Sequence, residues 1–348
     1  MKLAVLALAA GCGSSTVDAQ PDAAPLPTCG LKVIGGADAS APIALAADVD
    51  GDGLDEILVD APSGAHLFRG DGRVTQLPNI SGKETKIAAG DLDGDGHLDL
   101  AMVVGGRIAI SHGDGTGAFP VSDPLQGFAV TDLAVADIDG DGKNEIVALS
   151  NGKIETYGEH PASFDAGGAT WLAVGDLDGD GRPDLLVGNP GDFCVFNCDP
   201  TPGTLHMMRN TGGGFGVLVP VPQLDNNSFP TAGWIADLDG DGRNDLVVSA
   251  LAGLLLPNLG DGAFGAPVQV FPASIPLTIA VGDLDGDGRP EVAMAGGELD
   301  IVHGFAAATR YALTPDRMVI GRFSPTGAQL AVLQADNSIS LVDPGCLH

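Results

Sequence analysis

The sequence predicts an all-β protein: a seven-bladed β-propeller of four-stranded antiparallel blades whose ring is closed by an N-terminal strand. Three observations carry this. The phrase DxDGDGxx followed by Asp or Glu returns six times along the 348 residues. First Asp to first Asp, the copies are separated by about 43, 46, 39, 61 and 46 residues, a range typical of propeller blades or solenoid turns. Each interval also holds short apolar runs, divided by Gly-rich turns and numerous enough for four strands.

At the N-terminus, Lys2 precedes a short apolar run, residues 3–10, and Ala9-Ala10-Gly11-Cys12 is similar to the lipobox of bacterial lipoproteins, with Ala9 where Leu is preferred. Residues 1–11 are therefore expected to be a lipoprotein-like signal and Cys12 a lipidated first residue, an ordinary secretory signal being the alternative. Residues 12–28 are rich in Ser, Ala, Pro and Asp, which suits a flexible tether. Residues 29–348 form the propeller. No other run is long and apolar enough to span a bilayer. An outer-membrane or cell-surface lipoprotein is expected, or alternatively a secreted protein.

The second repeat shows how a blade is written. A strand over 86–90 leads into the acidic phrase, a second strand covers 100–104, Gly105-Gly106 turns the chain into a third over 107–111, and a fourth lies near 119–122. The first repeat begins likewise, with strands at 43–47 and 57–59. After the sixth phrase a seventh copy has lost its carboxylates. Strands at 318–323, 330–334 and 338–342 surround Ser324-Pro325-Thr326-Gly327, so this blade is expected to hold no metal. It lacks a fourth strand, and residues 31–34 are free to supply one and close the ring.

Each phrase is a cation loop by its chemistry. Asp48, Asp50 and Asp52 place carboxylates on alternate residues, Gly51 and Gly53 let the backbone curl, Leu54 offers a carbonyl, and Glu56 closes the set. The other sets are Asp91, Asp93, Asp95, His97 and Asp99; Asp137, Asp139, Asp141, Lys143 and Glu145; Asp176, Asp178, Asp180, Arg182 and Asp184; Asp237, Asp239, Asp241, Arg243 and Asp245; and Asp283, Asp285, Asp287, Arg289 and Glu291. Four carboxylates so close repel one another without a cation between them. Oxygen-only donors in a flexible loop favour Ca²⁺, giving about six structural ions. The seventh position varies freely, as it should if only its carbonyl is used. An EF-hand would need a bidentate Glu at the twelfth position, and here the twelfth residues are Val59, Met102, Ala148, Val187, Val248 and Met294. The loops therefore join strand to strand.

Cys29 precedes the closing strand and Cys346 follows the last one, so pairing of those strands predicts a Cys29–Cys346 disulfide. Cys194 and Cys198 are expected to staple a loop in the one oversized repeat.

With phrases such as Gly113-Asp114-Gly115-Thr116-Gly117-Ala118-Phe119 and Gly260-Asp261-Gly262-Ala263-Phe264-Gly265-Ala266-Pro267, the acidic loops resemble the FG-GAP and VCBS repeats of integrin-alpha-type propellers. The resemblance runs from about residue 29 to the C-terminus. It implies fold and metal but leaves activity open, because proteins similar in repeat include adhesion heads, lectins and parts of polysaccharide-degrading enzymes. It also implies that ligands meet the face opposite the metal loops, which directs attention to residues 189–203, with Phe193 and Phe196, and to 223–233 beside Trp234.

The formal net charge is −30, and six Ca²⁺ would leave about −18, so nucleic acid and anionic lipid are poor partners and the membrane is reached only through a lipid at Cys12. Small residues before each loop, Ala47, Gly90, Ala136, Gly175, Ala236 and Gly282, fit crowding near the axis. The favoured function is a non-catalytic binding or adhesion module for an extracellular protein or glycan, with a monomeric head. A lectin is the alternative, although Trp171, Trp234, Tyr157 and Tyr311 are a thin supply of platforms. So is a polysaccharide lyase or hydrolase, although no catalytic residue is assigned and His66, His112, His160, His206 and His303 show no paired setting.

Overall fold

The computed structural model describes residues 30–36, 43–61, 64–77, 84–123, 126–192, 201–221, 224, 229–271, 278–343 and 347. Residues 1–29, with the expected signal and tether, lie outside that set, as do all five cysteines and Phe193 and Phe196. All regular structure among the described residues is β. It forms seven four-stranded antiparallel sheets and one small hairpin, Asn258–Gly260 with Ala263–Phe264, inserted in the fifth blade.

Every blade from the first to the sixth runs in simple up-and-down order. In blade 2 the strands are Glu84–Gly90, Asp99–Val104, Arg107–His112 and Val121–Ser122, each hydrogen-bonded to the next. Blade 7 takes Arg317–Ser324, Gly327–Leu333 and Ser338–Val342 and borrows Leu31–Gly36 as its outer strand, with Leu31 opposite Val342. The expected closure is therefore present: the first strand among the described residues completes the last blade and closes the ring.

The first strands of successive blades neighbour one another around the axis. At this crowded radius blades 2, 4 and 6 require glycine. A Cβ on Gly175 would lie 2.7 Å from Ile235 of blade 5, and one on Gly282 would lie 2.7 Å from Ile320 of blade 7. Small residues in one blade thus accept branched residues of the next.

Second strands are buried on both faces, which is why they read as unbroken apolar runs and not as alternations. Their side chains point alternately to the two neighbouring blades. Ile57 and Val59 pack with Ala331 and Leu333 of blade 7, while Leu58 packs with Leu100 and Met102 of blade 2. The core is thus a ring of seven layers between blades, and each fully buried Leu, Ile or Val in it contributes about 1.5–3 kcal/mol.

Candidate metal loops and an adjoining cleft

The six acidic phrases all connect a first strand to a second, so topology places them on one end of the propeller. Their shape comes from side chains folding back on their own backbone. In the first loop Asp48 Oδ1 accepts the Gly51 amide at 2.8 Å, Asp48 Oδ2 accepts the Gly53 amide at 2.9 Å, and Asp52 Oδ1 accepts the Leu54 amide at 2.9 Å. The other five repeat this, for example Asp283 with Gly286 and Gly288 and Asp287 with Arg289. The fourth and sixth residues are always glycines with positive φ, such as 73° at Gly51 and 85° at Gly53, which an L side chain would strain. The second residue anchors the loop: Val49, Leu177, Leu238 and Leu284 are buried between blades.

The ninth residue begins the second strand and is buried in every copy: Glu56, Asp99, Glu145, Asp184, Asp245 and Glu291. One of its oxygens always accepts the amide of the second residue, as in Glu56 with Val49 at 3.1 Å and Asp184 with Leu177 at 2.9 Å. Burial pushes the Glu56 carboxyl up to about 7 and that of Asp245 up to about 6, and it raises Glu145, Asp184 and Glu291, in each case against the lowering effect of backbone hydrogen bonds. The neighbouring loop carboxylates push the same way.

These oxygens converge. One ligand atom from each of Asp48, Asp50 and Glu56 lies within 4.8 Å of the others, and the same holds for Asp91, Asp93 and Asp95 and for Asp137, Asp139 and Glu145. Asp50 Oδ1 and Asp178 Oδ1 are buried without a hydrogen-bond partner. Orphaned carboxylate oxygens beside desolvated carboxyls fit a hard divalent cation, with the first, third, fifth and ninth side chains and the seventh carbonyl as its donors.

The loops differ in what stands across the sheet from the ninth residue. The strand register puts Arg69, His112, Gly158, Arg209, Pro257 and His303 there in blades 1 to 6. Arg69 grips Asp50 Oδ2 at 2.8 Å and lies 3.5 Å from Glu56, and Arg209 lies 3.5 Å from Asp178. Each leaves the orphaned Oδ1 of that aspartate for the loop centre. His112 Nδ1 lies 3.4 Å from Asp99 and 3.6 Å from Asp93, with Asp123 3.4 Å from Nε2. Burial lowers the pKa of His112, but Asp123 and Asp99 together raise it further. His303 Nδ1 lies 3.2 Å from Glu291 and 3.8 Å from Asp285. Two histidines without a paired setting in the sequence thus occupy equivalent places in blades 2 and 6, which corrects that reading.

Between blades 3 and 4, on the loop face, a cleft of about 470 Å³ opens. Asp139, Asp141 and Glu145 form one wall, Gly212, Gly213 and Gly214 another, and Phe164 and Phe215 meet edge to face with centroids 5.6 Å apart. His160, at its mouth, is 3.3 Å from Asp139. On the opposite face, most of 193–203 is outside the described residues. Trp171 is buried, donating its indole N–H to Pro230 O at 3.0 Å, and Tyr311 is buried too, so neither is a platform.

Family models match three stretches of the chain. The FG-GAP-like repeat covers residues 48–102 and 91–148, and the FG-GAP repeat covers 168–203. Residues 48–148 and 168–203 thus match FG-GAP repeats. No curated protein matches the full sequence. Among solved structures, BBS1N, crystallised in complex with ARL6DN, is similar with a TM-score of 0.64 at 13% identity, over 92% of this chain and 97% of that one. An Agrocybe aegerita lectin that recognises non-reducing terminal N-acetylglucosamine is similar with a TM-score of 0.55 at 18% identity, over 86% and 87% of the two chains. At these identities the likeness shows the fold alone.

The acidic loops are also clasped to one another through residues that the motif does not single out. Asn144, eighth in loop 3, donates its amide to Asp91 O at 2.7 Å and accepts the Asp91 amide at 2.9 Å. Asn244 donates to Asp176 O. The buried Asn210 and Asn258 donate to Ile138 O and Leu177 O of the preceding blade, and their own amides meet Asp184 and Asp245 at 2.7 Å. A sequence signal existed: both stand in Asn-x-Gly after a third strand, in Asn210-Thr211-Gly212 and Asn258-Leu259-Gly260.

Proposed function

We propose that this chain is an exported calcium-binding propeller that acts as a non-catalytic binding module for an extracellular protein or glycan. Cys12 anchors it at the outer membrane or cell surface, or the head is secreted. The calcium ions hold the loop face in shape. The observation that carries the binding reading is the cleft between blades 3 and 4, which has a sugar-sized volume, an aromatic edge and carboxylates on one wall. A glycan is favoured there because the half-buried Phe164, backed by Phe215, presents ring surface beside the exposed His160. An ion in loop 3 supports the wall through Asp139, Asp141 and Glu145.

The solved structures similar to this chain include one complexed with a protein partner and one glycan-recognising lectin, which supports a binding role without choosing the ligand. The test is a glycan array on the calcium-loaded full chain beside a Gly213→Trp variant. A Cβ at Gly213 has open space, so the indole fills the cleft without disturbing the fold. Glycan binding by the parent that is lost in the variant, at equal melting temperature, supports the reading. Binding unaffected by the plug moves the ligand off this cleft, and release of shortened polysaccharide by the parent overturns the non-catalytic role.

A further inference from the structure

We infer that blades 2 and 6 each hold a nitrogen-ligated divalent transition cation of the zinc class, with His112, Asp93 and Asp99 as ligands in one and His303, Asp285 and Glu291 in the other. The inference refines the calcium reading at two of the six loops and is independent of the ligand cleft.

In each triad one ligand atom from every residue lies within 4.8 Å of the others. The arrangement occurs twice, at the same place in the strand register, because His112 faces Asp99 and His303 faces Glu291. In blade 2 the imidazole is set as a ligand. Its Nδ1 is buried and makes no hydrogen bond. Asp99 Oδ2 lies 3.4 Å from it and Asp93 Oδ2 3.6 Å. They sit near the separation of co-ligands, since bonds of about 2.0–2.1 Å at tetrahedral angles put neighbouring donors about 3.3 Å apart.

The other ring nitrogen, Nε2, faces Asp123 at 3.4 Å. A carboxylate on the far nitrogen holds a metal-binding histidine in the required tautomer and makes it a stronger donor. Blade 6 repeats the triad, but there Nδ1 is hydrogen-bonded to Glu291 Oε1 at 3.2 Å, a bond that a cation between them would replace. Arg69 and Arg209 fill the same register position in blades 1 and 4, where a guanidinium can orient a carboxylate but cannot ligate. Gly158 and Pro257 in blades 3 and 5 offer nothing. An imidazole among carboxylates shifts preference from calcium toward zinc, because calcium takes oxygen donors almost alone.

The experiment uses the full chain, stripped of metal and dialysed against zinc, calcium or both, with bound metal counted by mass spectrometry. Two zinc equivalents are expected to survive millimolar calcium. His112→Asn and His303→Asn should each remove one, and the double variant both, while calcium at loops 3 and 5 is unchanged. Asp123→Asn should weaken zinc at blade 2 about 10–100-fold. Cobalt substitution adds a spectroscopic check, visible bands of a low-coordinate nitrogen-bearing site that disappear in the double variant. Zinc that millimolar calcium displaces, or that the double variant retains, overturns the inference. Failure of calcium at loops 3 and 5 with the two zinc equivalents intact would overturn the calcium reading alone.

Discussion

Blades 6 and 7 are neighbours with the same four-stranded plan, and only blade 6 carries the acidic loop. In blade 6 Gly282 faces Glu291, and in blade 7 Gly321 faces Gln329 at the equivalent point of the register. A neutral amide thus stands where the other six blades bury a carboxylate. The connection between the strands shrinks to a turn at Pro325-Thr326, and the second strand still buries Leu330 and Val332 completely. Blade geometry therefore does not depend on the loop. What the loop adds is a desolvated negative charge at the strand start, which needs a cation, and a clasp to the next blade. At the seam that clasp persists without a metal loop in blade 7: Asp55 of blade 1 donates its amide to Arg322 O at 2.8 Å and accepts the Arg322 amide at 2.6 Å.

The largest effect that separates the two kinds of blade is metal removal. With each cation at about ten times its Kd, each occupied loop stabilises the fold by about 1.4 kcal/mol, and six together by about 8 kcal/mol. Excess chelator is expected to lower the melting temperature by about 15 °C or more. A melting curve that does not move after confirmed metal removal would refute a stabilising role. If so, all seven blades would be alike.

Next in size is the pH dependence of the metal-free protein. A carboxyl raised by burial binds its proton more tightly folded than unfolded, so it favours the fold most at low pH and this advantage is lost as pH rises through the folded value. For Glu56 that window runs from the ordinary 4.5 to about 7, and for Asp245 it ends near 6. In chelator, therefore, the melting temperature should fall between pH 5 and 8. With calcium present it should rise over the same range, because protons compete with the ion. Thermal scans at fixed ionic strength check the sign, and parallel slopes with and without calcium would break the link between buried carboxyl and metal.

Smaller still is the clasp. Asn258→Ala removes donors to Leu177 O and Asn244 O inside the protein and should cost about 1–3 kcal/mol by chemical denaturation, with or without calcium. Insensitivity to the metal is the point: a loss confined to the calcium form would mean that Asn258 serves the loop and not the seam between blades.

Much of the fold was legible because a repeat writes the same physics many times. Six copies of the loop set the period, apolar runs set the strands, and the loss of carboxylates around Pro325 exposed the seventh blade. Hidden in the sequence was what depends on residue-by-residue register across strands. His112 and His303 are 191 residues apart and share no local motif, so their common relation to a ninth carboxylate appears only in the register. The same is true of Gln329, whose kinship with Glu291 is masked by a connection of different length. The cleft, too, joins residues from two blades, and no single repeat contains it.

The subtlest test turns blade 3 into blade 7 at one atom. Glu145 is buried, its carboxyl is raised by burial, one oxygen accepts the Ile138 amide at 3.0 Å, and Gly158 across the sheet brings no counter-charge. Glu145→Gln keeps the shape and the acceptor but removes the charge. In calcium the variant should lose about 1.4 kcal/mol, because one loop no longer holds its ion. In chelator above pH 7 it should be the more stable of the two, since a neutral amide costs less to bury than an ionised carboxylate. The crossing of the two stability orders is the expected outcome. A variant that is less stable in both conditions would show that the ninth residue acts through its hydrogen bonds alone, and that blade 7 differs from its neighbours only in the length of a turn.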